Sequence, residues 1–218
     1  MSDPVQKSQT RTRGRPRAYD PESALKGATR TFWRSGFAGS SLDELCDSMD
    51  MNRPSLYGAF GDKRDLYLAT LERYVAVSRA DMERALAADL PLAKGLQRVY
   101  DRALALYFAD AAAPLGCFLI GTAATEAARD RGVRDVLGSG LRALSKAFEA
   151  RFRAARKSGE IASGADPKLL AELAASVLFS IALRARAGDS RASLAAFSRK
   201  AVTLVCGAAG SATRRRAS

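Results

Sequence analysis

SSLDELCDSMDMNRPSLYGAFGDK, residues 40–63, is the stretch that decides the fold. Its first half places apolar side chains at i, i+3, i+4 and i+7, the spacing that puts them on one side of an α-helix. Ser41 and Glu44 have the spacing of a capping box, in which each side chain accepts a hydrogen bond from a backbone amide of the other residue. The pattern predicts a short helix that lies against a core, with Leu42, Leu45, Cys46 and Met49 facing inward.

A second short helix is predicted after the turn at residues 50–52. Asn52 can cap it, and Pro54 lies in its first turn, where a missing amide hydrogen does little harm. Leu56 and Phe60 are expected to face inward, which leaves a small polar face on the other side. A helix this short is not stable alone. The pair therefore predicts a helix-turn-helix whose second helix can enter a DNA major groove, although such pairs also occur inside packed helical cores.

These segments resemble the N-terminal DNA-binding domain of the TetR family of bacterial transcriptional regulators. The resemblance is carried by GFAGSSL at residues 36–42, RPSLYGAF at residues 53–60 and the pair Asp62-Lys63, and it covers about residues 14–75. It implies that the start of the second helix approaches base edges or the sugar-phosphate chain, while neighbouring side chains hold phosphates. By position, the first group is Arg53, Pro54, Ser55 and Gly58, and the second is Ser41, Tyr57 and Lys63.

The net charge of +12 predicts a polyanionic partner. The motif itself is net negative, so the attraction must come from its flanks. Lys63 and Arg64 stand at the positive end of a predicted helix, where phosphate contacts suit them better than a stabilising role. RGRPR at residues 13–17 resembles the core of minor-groove-binding hooks, which adds Arg15 and Arg17 to the expected DNA contacts. A solvated tail that touches only phosphates is the alternative.

The rest of the chain shows helical spacing interrupted by short breakers, with no strand pattern. Asp20-Pro21 can start the first helix and Gly36 can stop it. Asp62 can cap a fourth helix, which is expected to continue to about Ala88. The expected fold class is all-α, about nine helices: an N-terminal three-helix helix-turn-helix domain and a larger helical ligand-binding and dimerisation domain. The expected divisions are a disordered basic arm at 1–18, the DNA-binding domain at 19–65, the larger domain at 66–210 and a basic tail at 211–218.

A single helix-turn-helix covers few base pairs, so a homodimer that reads two half-sites of a palindromic operator in double-stranded DNA is expected. The last two predicted helices are the candidate dimer surface, because the first of them is apolar on more than one face. The alternative is ordinary core within one chain. The candidate residues are Leu178, Phe179, Ala182, Phe197, Ala201 and Leu204.

The resemblance also implies a small-molecule effector that binds inside the larger domain and shifts the dimer away from the spacing that fits DNA. Helices four to seven are expected to enclose it. An aromatic, mostly apolar cavity is a suitable site for such a ligand, with Glu126 or Arg102 as its polar anchor. The candidate lining residues, each of which could instead be ordinary core, are Tyr74, Tyr107, Cys117, Phe118, Phe148 and Phe152.

Cys117 follows Pro114-Leu115-Gly116 at a predicted helix N-terminus, where the helix dipole lowers the pKa of a thiol. This position predicts an alternative function, a regulator that senses oxidants or electrophiles through Cys117. A buried thiol that only fills space is the competing interpretation.

Other functional classes find less support in the sequence. Histidine is absent, and no phosphate loop, nucleophile elbow or metal-ligand spacing is present, so neither an enzyme nor a cofactor is expected. An architectural DNA-binding protein without an effector is a further alternative, but the C-terminal domain is too large for it. The start of the chain has no apolar signal segment and no apolar run is long enough to cross a membrane, so a cytoplasmic location is expected.

Overall fold

The computed structural model describes residues 19–87, 89–110 and 112–211. These residues form nine α-helices and no strand, which confirms the all-α prediction. The expected arm at 1–18, with Arg15 and Arg17, and the tail at 212–218 lie outside the described residues. The helices are α1 (Pro21–Gly39), α2 (Leu42–Met49), α3 (Arg53–Phe60), α4 (Lys63–Ala85), α5 (Leu92–Tyr107), α6 (Phe118–Glu126), α7 (Arg131–Lys157), α8 (Pro167–Arg186) and α9 (Arg191–Ser211).

The first four helices begin at the caps that the sequence predicts. Asp20, Ser41, Asn52 and Asp62 each accept a hydrogen bond from a backbone amide two or three residues later. Ser41 and Glu44 form both halves of the capping box. These bonds satisfy amides that have no partner inside the helix, so each start is determined by residues that are neighbours in the sequence.

Some helix ends differ from the expected ones. The backbone leaves the helical conformation at Gly36, with φ of 72°, but α1 continues beyond this kink to Gly39. Helix α4 ends at Ala85 rather than near Ala88. Ends are harder to predict than starts here because apolar spacing continues past the residue at which the backbone turns.

We call α1 to α3 the N-terminal unit and α5 to α9 the C-terminal body; α4 joins them. The core beneath the unit consists of fully buried side chains, namely Phe32, Leu45, Leu56, Leu66 and Leu71. Helix α1 crosses α2 so closely that a Cβ atom added to Gly27 would lie 1.9 Å from the carbonyl oxygen of Ser48. The other side of α1 packs against α4 and α6, so this helix belongs to both halves of the molecule.

In the body, α7 and α8 pack along each other, and α9 packs on both α5 and α8. None of the helices within the described ranges has the length and apolar character required to cross a lipid bilayer.

Candidate functional site

Helix α3 presents a polar face to solvent. Of its eight residues, Leu56 alone is buried, and Phe60 is half-buried beside Tyr19. The predicted base-edge residues Arg53, Pro54, Ser55 and Gly58 are all exposed on this helix, as is Tyr57 at 48%. The structure therefore brings most of the predicted DNA contacts onto one accessible surface.

The side chain of Arg53 is paired with an acid of the preceding helix, Asp43 of α2. Its guanidinium donates from Nη2 to both carboxylate oxygens of Asp43, at 2.8 and 2.9 Å, and from Nε at 3.0 Å. These hydrogen bonds raise the pKa of Arg53 further. Both side chains are more than half exposed, and exposed ion pairs contribute little to stability. Arg53 can therefore exchange Asp43 for a base edge or a phosphate.

The flanking residues have more varied surroundings. The Ser41 hydroxyl is part of the α2 cap, and the Lys63 ammonium lies 4.8 Å from the centre of the Phe37 ring. Arg64 is expected to contact phosphate, but its guanidinium already forms an ion pair with Asp130, in which Nη2 lies 2.9 Å from Oδ1. That partner stands at the start of α7, 66 residues away, so sequence spacing could not identify it.

The ion pair with Arg64 also shifts the pKa of Asp130. Hydrogen bonds from the Arg64 guanidinium and then from the Val133 amide lower the pKa of Asp130 to about 2. Asp130 thus stays ionised throughout the physiological range, and the contact between α4 and α7 persists there.

A cavity of about 450 Å³ lies between the N-terminal unit and the body. Tyr74, Tyr107 and Cys117 of the predicted set border it, and so does Arg102. Phe118, Phe148 and Phe152 are fully buried and do not border it, and neither does Glu126. The apolar part of the wall includes Trp33, Met82, Val99, Leu119, Leu144 and Leu178.

The expected enclosure, helices four to seven, omitted two helices that border the cavity. Leu178 contributes from α8, and α1 contributes Lys26, Thr29, Arg30 and Trp33. The four α1 residues are absent from the predicted lining because the helix-turn-helix pattern assigns that helix wholly to the DNA-binding domain. A possible signal was present: Lys26 and Arg30 stand one turn apart on a helix whose opposite side is apolar.

Cys117 lies at the start of α6 as predicted, but its pKa shifts in the opposite direction to the one expected. Burial is the largest effect and raises the pKa of the thiol, outweighing the hydrogen bond with Tyr74 and those with the amides of Leu119 and Ile120. The Tyr74 hydroxyl lies 3.4 Å from Sγ. The thiol is 5% exposed and therefore largely neutral near pH 7.

Hydrogen bonds connect α1 to the body next to the cavity. The indole Nε1 of Trp33 donates to the carbonyl oxygen of Leu115 at 3.2 Å. Arg186 of α8 donates from Nη1 to the carbonyl oxygen of Trp33 at 3.3 Å and to that of Leu115 at 3.0 Å. On the next residue of α1, Arg34 forms an ion pair with Asp110. One stretch of α1 is thus fixed to the loop before α6 and to α8.

The predicted dimer residues occupy different environments. Leu178, Ala182 and Ala201 are buried inside the chain, and Phe179 and Phe197 are half-buried, with the Arg184 guanidinium 4.9 Å from the Phe197 ring centre. Leu204 is 72% exposed. We call the exposed leucines of α8 and α9 the outer leucine face; they are Leu169, Leu173, Leu183 and Leu204.

Two family models match the chain. The model of the bacterial regulatory proteins of the tetR family matches residues 24–70, and that of the tetracyclin repressor-like C-terminal domain matches residues 92–201. The HTH-type transcriptional repressor ComR of Escherichia coli (strain K12) is 29% identical over 181 residues, which are 83% of this chain and 86% of the relative. The repressor BdcR of the same organism is 37% identical over 103 residues, 47% of this chain and 52% of the relative.

Solved structures agree with these matches. The TetR family transcriptional regulator CifR, a cysteine mutant complexed with 26-bp double-strand operator DNA, has a TM-score of 0.77 at 31% identity, covering 86% of this chain and 98% of that one. Escherichia coli NemR in its reduced form, at 19% identity and a TM-score of 0.72 over 84% of this chain and 93% of that one, shares the fold. The two matched segments, the exposed helix-turn-helix and these relatives lead to one conclusion: the chain belongs to the TetR family of bacterial transcriptional regulators, which are DNA-binding proteins.

Proposed function

We propose that this protein is a ligand-responsive repressor that binds a palindromic operator as a homodimer. The observation that carries the proposal is the polar, solvent-exposed face of α3, held on a fully buried core by Leu56. Relatives named as repressors, and a relative solved with operator DNA, support the same role.

We assign base reading to the first turn of α3 and phosphate binding to its surroundings. Arg53 and Ser55 carry hydrogen-bond donors at the helix start, where side chains in this motif reach base edges. A Cβ added to Gly58 would meet nothing within 4 Å, so this residue leaves open space beside the helix for the approach of DNA. Ser41, Tyr57 and Lys63 are proposed to hold phosphates. Arg15 and Arg17 of the N-terminal arm are proposed minor-groove contacts.

The outer leucine face is the proposed dimer surface. Leu169, Leu173 and Leu183 are spaced by 4 and 10 residues, which places them on one side of α8, and Leu204 extends the surface onto α9. A self-complementary surface of this kind produces a twofold dimer. Such a dimer presents two copies of α3, as a palindromic operator requires.

Effector binding in the cavity gives a physical route to regulation. A ligand shifts an equilibrium only as far as its affinities for the two states differ. Helix α1 borders the cavity through Trp33 and packs against α2 through Gly27, so a ligand that moves α1 also moves the helix-turn-helix. We expect the ligand to lower the affinity of the dimer for DNA in this way.

The alternative, a thiol sensor, keeps one supporting observation, because Cys117 borders the cavity and an electrophile that enters would reach it. The raised pKa of the thiol favours the ligand-binding role, since the thiolate is the reactive form.

Selection of binding sites from a random duplex library tests the assignment of roles. Arg53→Ala should lose preference for one base pair, with about tenfold less discrimination. Tyr57→Phe and Lys63→Ala should weaken binding to all sequences similarly, because phosphate contacts carry no sequence information. Arg131→Ala, at a side chain that is 91% exposed on α7, is the matched control and should bind as the wild type does. A protein that is monomeric and indifferent to duplex DNA at low salt would contradict the whole proposal.

A further inference from the structure

The cavity described above is lined mainly by apolar side chains, but its opening is strongly basic. Lys26 and Arg30 of α1, Arg73 of α4 and Arg102 of α5 border it, against one acid, Asp81. We infer that the effector is an amphipathic anion, an apolar ring system or chain with a carboxylate or sulfonate group, and that this group binds between Lys26 and Arg30. The inference rests on the proposed role of the cavity as the effector site and adds the chemistry of the ligand.

Two of the four cations are already neutralised by neighbouring acids. Arg73 donates from Nη2 to the carboxylate of Glu22 at 2.6 Å, and Arg102 donates from Nη1 to Asp81 at 2.6 Å. Asp81 also accepts from Arg84 at 3.2 Å, so the acid at the opening is engaged twice. A cationic ligand would therefore find no available carboxylate there.

The other two cations have no such partner among the residues that the structure describes. Within the described part of the chain, neither Lys26 nor Arg30 takes part in a hydrogen bond or an ion pair between side chains. They stand four residues apart on α1, so they lie on the same side of the helix, and both are exposed. An anion placed between them would receive donors from both, with an apolar wall directly beneath.

The wall fits the second half of the ligand. Trp33, Met82 and Val99 are at most 8% exposed to solvent and border the cavity, so a ligand body there would be removed from water. A volume of about 450 Å³ is in the range typical of small-molecule sites and accommodates a two- or three-ring compound. The burial of apolar surface supplies the affinity, and the paired cations select the charged head group.

A matched pair of fluorescent dyes tests the inference on the full-length protein. 8-Anilinonaphthalene-1-sulfonate carries the sulfonate, and N-phenyl-1-naphthylamine is the same molecule without it. In Lys26→Gln/Arg30→Gln, the Kd of the anionic dye should rise about tenfold, because two charge contacts at an exposed opening are lost. The Kd of the uncharged dye should change less than twofold. Arg131→Gln/Arg153→Gln, which removes two exposed charges of α7 that do not border the cavity, should alter neither value.

A second variant locates the dyes. Leu144→Trp should fill the cavity and reduce the binding of both dyes at least tenfold, with circular dichroism melting as the check that the variant is folded. The inference is overturned if Lys26→Gln/Arg30→Gln weakens the binding of both dyes equally or of neither. It is also overturned if Leu144→Trp binds the dyes as the wild type does, or if the wild type binds no dye. Operator binding is measured on the same samples. If the wild type binds operator DNA but the dyes do not behave as expected, only this inference is overturned. If the dyes behave as expected but the wild type does not bind operator DNA, only the proposed function is overturned.

Discussion

The helix-turn-helix of the N-terminal unit and the first helix of the C-terminal body, α5, are secured over very different distances along the chain. In α2 and α3 the first turn is closed by a side chain three residues away. In α5 the residue at the cap position is Pro91, which offers no side-chain acceptor, and Glu160 accepts from the amide of Leu92 at 2.6 Å from 68 residues away. The starts of α2 and α3 are therefore specified locally, as are those of α7 and α8, which Asp130 and Asp166 cap. The start of α5, in contrast, depends on a contact that exists only after the body has folded.

Two close helix contacts, one in each region, also differ in the atoms that a glycine meets. Gly27 meets the backbone of α2, which cannot move without moving a whole helix. Gly140 of α7 is also crowded, since an added Cβ would lie 2.7 Å from Cδ2 of Leu119 and 2.9 Å from Cγ2 of Val75. Those atoms are the ends of side chains that border the cavity, so they have space into which they can shift. The contact at Gly27 is therefore rigid, whereas the one at Gly140 can adapt.

Gly27→Ala should have the largest effect. We expect a loss of about 3 kcal/mol in the free energy of unfolding, because the methyl group forces α1 and α2 apart. Gly140→Ala is the matched control and should cost about 1 kcal/mol or less, since neighbouring side chains can move and alanine favours the helix. Urea unfolding measures both. Equal losses would show that the two contacts are equally rigid and would break the comparison.

Glu160→Gln should come next, with a loss of about 2 kcal/mol, because the Arg151 side chain, 3% exposed, would keep its charge without an anionic partner. Burial raises the pKa of Glu160, but the Leu92 amide and Arg151 together outweigh it and lower the pKa below its ordinary value.

The stabilisation from ionised Glu160 is therefore complete above the unfolded pKa of about 4.3 and is lost as pH falls through the lower folded value. The difference between wild type and Glu160→Gln should be constant near pH 7 and should shrink in acid. Glu149→Gln, which breaks an ion pair with the exposed Arg153, is the control and should change stability little. A difference that grows in acid would contradict the lowered pKa.

Ser41→Ala should cost about 1 kcal/mol, since it removes the side-chain oxygen that caps α2. Ser41→Asp keeps an acceptor in the same place and should restore most of the loss. If both variants were equally unstable, the local cap would not be the feature that secures α2. Thermal unfolding of the two proteins gives the comparison.

The last prediction concerns the chemical reactivity of Cys117 and not the stability of the protein. It distinguishes regulation by ligand binding from regulation through the thiol. In Cys46→Ser/Cys206→Ser, Cys117 is the remaining cysteine, and its alkylation by iodoacetamide can be followed against pH. The rate should inflect at a higher pH than that of glutathione in the same reaction, because burial raises the pKa of the thiol. An inflection at a lower pH than that of glutathione would support the thiol-sensor alternative.

The sequence predicted what neighbouring residues determine. The caps at Asp20, Ser41, Asn52 and Asp62 follow from spacings of a few residues, and the helix-turn-helix follows from them. It could not predict the ion pair between Arg64 and Asp130, the remote cap of α5 or the burial of Cys117. Each of these depends on which helices meet in space, and the apolar spacing of an isolated helix does not carry that information.

Helix α1 forms a wall of the cavity on one side and the support of the DNA-reading helices on the other. We therefore expect substitutions that displace the backbone of α1 to alter effector binding and DNA binding together. Other lining residues, such as Val99 of α5 and Leu144 of α7, lie on helices that are not part of the N-terminal unit. Changes at those positions should alter the choice of effector, in nature or in the design of biosensors, with less disturbance of the DNA-reading helices.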